Sequence, residues 1–144
     1  MSEIRFYGNL GEYGFLSNFY EAPFKLDGDT WPTVEHYFQA VKTFDETDRR
    51  RIRDATNPAK AKSMGRKVLL RKDWEGIKQD VMRKALRAKF SIPELREQLL
   101  ATGDAKLIEA APRDYYWGAG AKGTGKNRLG VLLAEIRDEL KVTG

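Results

Sequence analysis

The chain has 144 residues, 41% hydrophobic and 33% charged, with a net charge of +5, no cysteine and one histidine. That length suffices for one domain with a buried core. The absence of cysteine excludes disulfides, thiolate nucleophiles and thiolate metal sites, and a lone His36 argues against zinc or non-haem iron, which draw on two or three imidazole or thiolate ligands.

Residues 1–23 read as irregular, punctuated by Gly8, Gly11, Gly14 and Pro23. Phe24-Lys25-Leu26 and Thr30-Trp31, joined by Asp27-Gly28-Asp29, read as a short hairpin. A helix is predicted over 34–44, with Thr33 as its N-cap. A polar helix follows over 46–55, and Asn57-Pro58 opens another that ends near Gly65. Asp73 is read as the cap of a long helix to about 90, with Trp74, Ile77, Val81, Met82, Ala85, Leu86 and Phe90 at helical spacing. Pro93 starts a helix to about 100, stopped by Thr102-Gly103-Asp104. A short strand is predicted at 107–110, a glycine-rich loop at 111–126, and a closing amphipathic helix at 127–141. The expected fold is mainly α (α+β), one compact domain spanning 1–144 with a few short strands.

No apolar run reaches the roughly 18 residues of a membrane span, and residues 1–6 lack the apolar core of a signal peptide. A cytoplasmic location is the expectation. The positive charge favours an anionic ligand such as a phosphate ester, and permits nucleic acid.

The stretch with most chemistry is the helix from Thr33. Glu35, Phe38, Gln39 and Lys42 fall at i, i+3, i+4 and i+7 and share one face. Core faces are apolar and solvent faces seldom place Phe among such groups. A carboxylate, an amide, a ring and an amine in one row suggest a pocket wall.

Other features are weaker. Arg49-Arg50-Arg51 and Arg53 suit a nucleic-acid patch, but Asp45, Glu46, Asp48 and Asp54 nearly balance them, and a solvated face is the better reading. Gly120 to Lys126 follows the P-loop spacing G-x-x-x-x-G-K, yet Asn127 stands where Ser or Thr would hold Mg²⁺ and no apolar strand precedes it. An NTPase is rejected. The loop either holds a phosphate on its N–H groups and the following helix N-terminus, or is a plain surface loop. Asp114 with Trp117 offers an acceptor and a stacking surface for a planar base; the alternative is a turn cap beside a core Trp. Trp74 reads as core. Asn18 is either a pocket residue or a turn former.

These residues together resemble the NADAR-domain family, in its YbiA-like branch. The motifs are Phe15-Leu16-Ser17-Asn18-Phe19-Tyr20, the run from Trp31 to Lys42, Trp74 with Met82, Lys89-Phe90, Leu99-Leu100-Ala101-Thr102-Gly103-Asp104, Asp114 to Gly120, and Asn127-Arg128-Leu129-Gly130. They keep the family order and cover nearly the whole chain.

The resemblance implies an N-glycosidase with no metal or organic cofactor. The implied substrates are ribosylamino-pyrimidine phosphates, early intermediates of riboflavin biosynthesis. Two alternatives stay open: removal of ADP-ribose from guanine bases, with nucleic acid only as modified substrate, or non-catalytic binding of ADP-ribose or a nucleotide. No membrane partner is implied. Glu35 is the implied general acid/base, Lys42 a candidate Schiff-base nucleophile or a charge clamp, and Asp114 a group that binds or protonates the base. Asn18, Phe19, Gln39, Trp74, Trp117, Gly118, Gly120 and Asn127 are the implied substrate-binding residues. An N-ribosyl bond breaks through an oxocarbenium-like centre or by ring opening to an imine. A carboxylate serves the first route and an amine with an acid/base the second. On a continuous helix Glu35 and Lys42 lie roughly 10 Å apart along the axis, within reach of one ribose.

Overall fold

A computed structural model describes residues 2–143. Six α-helices and four short strands make up the regular structure among the described residues, so the architecture is α+β with helices dominant. No helix among the described residues is long and apolar enough to cross a membrane. The chain divides into two compact units, residues 1–20 with 90–144, and residues 21–89.

The 21–89 unit opens on a hairpin of β2 (Phe24–Leu26) and β3 (Asp29–Trp31), antiparallel with Lys25 opposite Thr30. Its turn is Asp27-Gly28, with φ of 53° and 84°. Both lie in the left-handed region that a two-residue type I′ turn requires, which Asp-Gly supplies. Three helices surround the next element, α1 (Val34–Ala40): these are α2 (Glu46–Arg53), α3 (Pro58–Gly65) and α4 (Trp74–Lys89).

Side-chain caps start three of these helices. Thr33 Oγ1 accepts from the His36 N–H, Asp45 from the Asp48 N–H, and Asn57 from the Lys60 N–H. Pro58 occupies the first turn of α3, where its missing N–H costs nothing. Asp73 stands directly before the first residue of α4, where it was expected. Its carboxylate is held in two bonds by Arg71, at 2.7 and 3.0 Å.

Every residue of α1 is buried. His36 is fixed at both ring nitrogens. Nε2 lies 3.0 Å from the Ala55 carbonyl, which only accepts, so Nε2 carries the proton and Nδ1 accepts from the Thr33 hydroxyl at 2.8 Å. Burial lowers its pKa and keeps the ring neutral.

The other unit pairs β1 (Glu3–Phe6) in parallel with β4 (Lys106–Glu109), placing Ile4 beside Leu107. β1 falls in a region expected to be irregular. Its alternation, with Ile4 and Phe6 buried and Glu3 and Arg5 exposed, is a strand signature only four residues long. A 3₁₀ turn follows at Gly14–Leu16, and the helices are α5 (Pro93–Ala101) and α6 (Arg128–Thr143). Leu129, Leu132, Leu133 and Ile136 of α6 are buried, and α6 packs on β4 and α5.

Candidate functional site

The face of α1 that carries Glu35 and Gln39 is buried, with these residues 7% and 4% exposed. Gln39 Nε2 donates to Glu35 Oε2 across 2.6 Å. This is an i, i+4 pair, set by helical spacing alone. Gln39 Oε1 is buried and has no hydrogen-bond partner among the described residues. It rests on Gly65, the last residue of α3, where a Cβ would collide with it.

Lys42 does not lie on the helix as expected. α1 ends at Ala40, with Val41 as its C-cap. The Lys42 and Thr43 N–H groups turn back to Gln39 and Ala40 carbonyls in a tighter, i−3 pattern. The orphan carbonyls are taken by one residue. The Arg71 N–H donates to Lys42 O at 2.8 Å, and its guanidinium reaches Val41 O at 3.4 Å. The Arg71 guanidinium also lies 4.0 Å from the Phe44 ring centre. Lys42 is therefore placed by this i−3 turn and by the Arg71 strap, off the α-helical register.

The Lys42 ammonium lies 5.7 Å from the Phe38 ring centre, and Phe38 meets Trp74 edge-on at 5.0 Å. Trp74 is buried, as its helical position suggested. Burial lowers the Lys42 pKa most; the Glu35 charge opposes the shift, and Arg66, Lys62 and Lys78 add to it. The amine thus sits within the field of one carboxylate and three other cations.

Two clefts in this unit, of about 240 and 320 Å³, are both lined by Asp27, Tyr37, Val41 and Arg49. They lie on the other side of α1 from Glu35 and Gln39. The Tyr37 hydroxyl donates to Asp27 at 2.7 Å there, and Arg53 pairs with Asp29 at 2.7 Å. The arginine run is therefore partly tied into its own unit.

In the other unit, Asp114 Oδ1 accepts from the N–H groups of Tyr116 and Trp117, at 3.0 and 2.8 Å. It closes a turn, as one of its two expected readings had it. Trp117 is half-buried and meets Tyr116 edge-on at 4.9 Å. The N–H groups of residues 126–129 donate to the carbonyls of Tyr115, Gly118, Tyr116 and Trp117. The start of α6 is thus capped by the loop itself, and these four N–H groups already have backbone acceptors. Gly118 and Gly120 are buried; a Cβ at Gly118 would come within 2.9 Å of Asp114 O, and one at Gly120 would strike the Tyr115 ring. Asn127 sits at φ 50°, donates to Leu107 O at 2.8 Å and accepts from the Glu109 N–H at 2.9 Å. Its amide clamps β4. Asn18 and Phe19 are half-buried after the 3₁₀ turn, and the Phe19 N–H donates to Ser17 Oγ at 3.1 Å.

Sequence reading overlooked Gly65, Arg71 and the cations Lys62, Arg66 and Lys78. Gly65 read as a helix stop, and only the tertiary contact gives it another meaning. No group of three or more His, Cys, Asp or Glu suited to a metal ion occurs among the described residues.

The NADAR domain family model matches residues 5–141. The chain is 54% identical to N-glycosidase YbiA of Escherichia coli strain K12 over 142 residues, 96% of this chain and 89% of that protein. It is 39% identical to an N-glycosidase of Nostoc punctiforme, covering 96% of this chain and 92% of the relative. A riboflavin biosynthesis protein of Vibrio vulnificus is 40% identical over 96% of this chain, which spans 38% of that longer protein. The NMR structure of E. coli YbiA superimposes with a TM-score of 0.91 at 53% identity, covering 99% of this chain and 86% of that one. With this match across nearly its whole length, the chain belongs to the NADAR-domain family.

Proposed function

We propose that this protein is an N-glycosidase that cleaves the ribosyl–nitrogen bond of ribosylamino-pyrimidine phosphates. The observation that carries the proposal is the grouping at α1. A buried, hydrogen-bonded carboxylate, Glu35, acts electrostatically on a half-buried amine, Lys42, whose pKa is lowered. The names of the relatives, N-glycosidase and riboflavin biosynthesis protein, support the reaction and the substrate class.

Lys42 is proposed as the nucleophile and Glu35 as the acid/base. The neutral Lys42 amine adds to C1′ of the ring-opened ribosyl imine. The ionised Glu35 carboxylate takes the proton that the attacking Lys42 nitrogen loses and passes it to the pyrimidine amine as the C1′–N bond breaks, which leaves Lys42 as an imine on C1′. Water hydrolyses the lysine imine, freeing the sugar phosphate and restoring the amine. A lowered pKa raises the neutral, nucleophilic fraction of Lys42. Lys62, Arg66 and Lys78 supply positive charge suited to the substrate phosphate.

The family motifs support the remaining assignments: Asp114 on the leaving base, and Asn18, Phe19, Trp74, Trp117, Gly118, Gly120 and Asn127 in shaping the binding region. One functional NADAR domain over 1–144, acting in the cytoplasm without metal, completes the proposal. The family match at 5–141 runs through both compact units and supports the single domain.

The test is mass spectrometry of products from a ribosylamino-pyrimidine phosphate, ADP-ribosyl-guanosine and NAD, each in EDTA. The expected result is free aminopyrimidine and ribose phosphate from the first alone. Release of guanosine from the second would move the assignment to ADP-ribosyl hydrolysis. No product from any would leave a binding module.

A further inference from the structure

Gly65 is the last residue of α3, and its backbone does not lie in the left-handed region that favours glycine. Any L-residue fits that conformation, and alanine would serve a helix better. The requirement for glycine is therefore one of space. A Cβ at this position would overlap Gln39 Oε1 and stand 2.8 Å from Gln39 Cδ and 2.9 Å from its Cβ. The Gln39 side chain thus occupies the space that a Cβ at Gly65 would need, and its amide nitrogen donates to Glu35 Oε2 at 2.6 Å.

The orientation of that amide is set from both ends. Turning it over would bring Oε1 against the Glu35 carboxylate, oxygen to oxygen. Swinging it away would leave a buried carboxylate without this donor. Gln39 Oε1 is left buried and without a hydrogen-bond partner, so the oxygen end contributes shape and the nitrogen end contributes the bond.

We infer that Gln39 and Gly65 form a positioning device for Glu35: Gly65 makes the space in which Gln39 lies, and Gln39 holds the carboxylate ionised and oriented. The inference deepens the N-glycosidase reading and rests on it for the role of Glu35. Gln39 is then a positioning residue rather than a substrate ligand, and Gly65 is a second one, acting through it.

The charged group that acts on this site from the end of α1 is Lys42. Lys62 of α3, Arg66 after it and Lys78 of α4 act on Lys42 in turn. Arg49 of α2 and Asp27 of the hairpin turn line the clefts on the other side of α1. All are unchanged in the variants below, so a shift at Glu35 reports the amide.

The experiment is ¹³C NMR titration of carboxyl-labelled glutamate, with the Glu35 signal identified by its absence in Glu35→Gln. Turnover of ribosylamino-pyrimidine phosphate is followed beside it. A hydrogen bond to the ionised form lowers a carboxyl pKa, so its loss raises it. Gln39→Met and Gly65→Ala should each move the Glu35 midpoint up by about one pH unit, with kcat down about tenfold or more and KM nearly unchanged. The double variant Gly65→Ala/Gln39→Ala restores room without restoring the donor. It should melt like Gln39→Ala, yet keep the shifted midpoint and the low kcat. A folded Gly65→Ala or Gln39→Met protein with the wild-type Glu35 midpoint and wild-type kcat would overturn the inference. The NMR arm needs no turnover, so a wild-type protein inactive on this substrate would count against the glycosidase reading alone.

Discussion

Lys42 and Arg71 are joined through the backbone: the Arg71 N–H donates to the Lys42 carbonyl at 2.8 Å, just where α1 has ended. The same arginine reaches Val41 O, is gripped by Asp73 in two bonds, and stacks on exposed Phe44. A residue 29 positions downstream thus holds the carbonyl of the candidate nucleophile, whose N–H is held by Gln39 O. Truncation in Arg71→Ala removes the guanidinium contacts but leaves the backbone bond. It should lower kcat severalfold through loss of orientation, while denaturant stability falls by no more than about 1–2 kcal/mol. An unchanged kcat would show that the backbone bond alone places Lys42.

Glu35→Gln should keep the fold, since glutamine preserves shape at this buried position. Turnover should fall on the order of 10²–10⁴-fold, the usual contribution of a positioned acid/base. Ligand affinity, read by calorimetry, should change little. A rate near wild type would move the acid/base role to Asp114.

For Lys42, borohydride added during turnover should trap a ribosyl adduct, seen as added mass on the peptide that contains it. Lys42→Arg should abolish turnover while retaining phosphate affinity, because guanidinium stays protonated. Adduct formation should rise with pH towards the lowered Lys42 pKa, as the neutral amine accumulates. An active Lys42→Arg enzyme without a trappable adduct would leave Glu35 activating water and Lys42 as a charge clamp.

Thr33 serves α1 twice, accepting from the His36 N–H at 3.1 Å and donating to His36 Nδ1 at 2.8 Å. Loss of an N-cap costs about 1 kcal/mol, and a buried acceptor left without its donor costs about 1–3 kcal/mol more. Thr33→Ala should lower unfolding free energy by about 2–4 kcal/mol in urea titrations. Thr33→Ser should recover most of it. Equal losses in the two variants would place the effect in packing of the threonine methyl.

Lys89 is 1% exposed, and burial pushes its pKa from 10.5 down to about 7. Below pH 7 both folded and unfolded states carry the proton, and folding bears the whole burial penalty. Between about 7 and 10.5 the unfolded chain holds more protons than the folded one, so stability rises with pH. Lys89→Met should flatten that rise when denaturation is compared at pH 7 and pH 10. A parallel pH dependence in both proteins would assign it to other groups.

Much of the architecture was legible because it is local. Thr33 and Asn57 announce the helices they open, Pro58 and Pro93 stand in first turns, and Asp27-Gly28 dictates the hairpin. The Glu35–Gln39 bond is local too, four residues apart on one helix, and so could be anticipated from spacing. The family motifs, spread from Phe15 to Gly130, named the relatives that the comparisons then found.

What sequence spacing could not give depended on partners far along the chain. β1 has four residues and becomes a strand by pairing with β4, a hundred residues away. α1 stops at Ala40 rather than 44, the Lys42 and Thr43 N–H groups turning to i−3 carbonyls, and Arg71, far along the chain, takes the Val41 and Lys42 carbonyls beyond it, so Lys42 stands off the predicted helical row. The N–H groups of residues 126–129, at the helix N-terminus after the glycine loop, bond to the carbonyls of residues 115–118, a pairing that spacing along the chain does not reveal. Asp73 and Asn127 offered polar side chains that sequence could assign only by type; Arg71 claims the first and β4 the second. The sequence by itself determined the helices, the hairpin, the family and the pairing of Glu35 with Gln39, since propensity, capping and i, i+4 geometry act over a few residues. Tertiary structure decided where Lys42 stands, which polar groups are already satisfied, and why position 65 is glycine, because those depend on which distant backbone and side-chain atoms compete for the same space and the same hydrogen bonds.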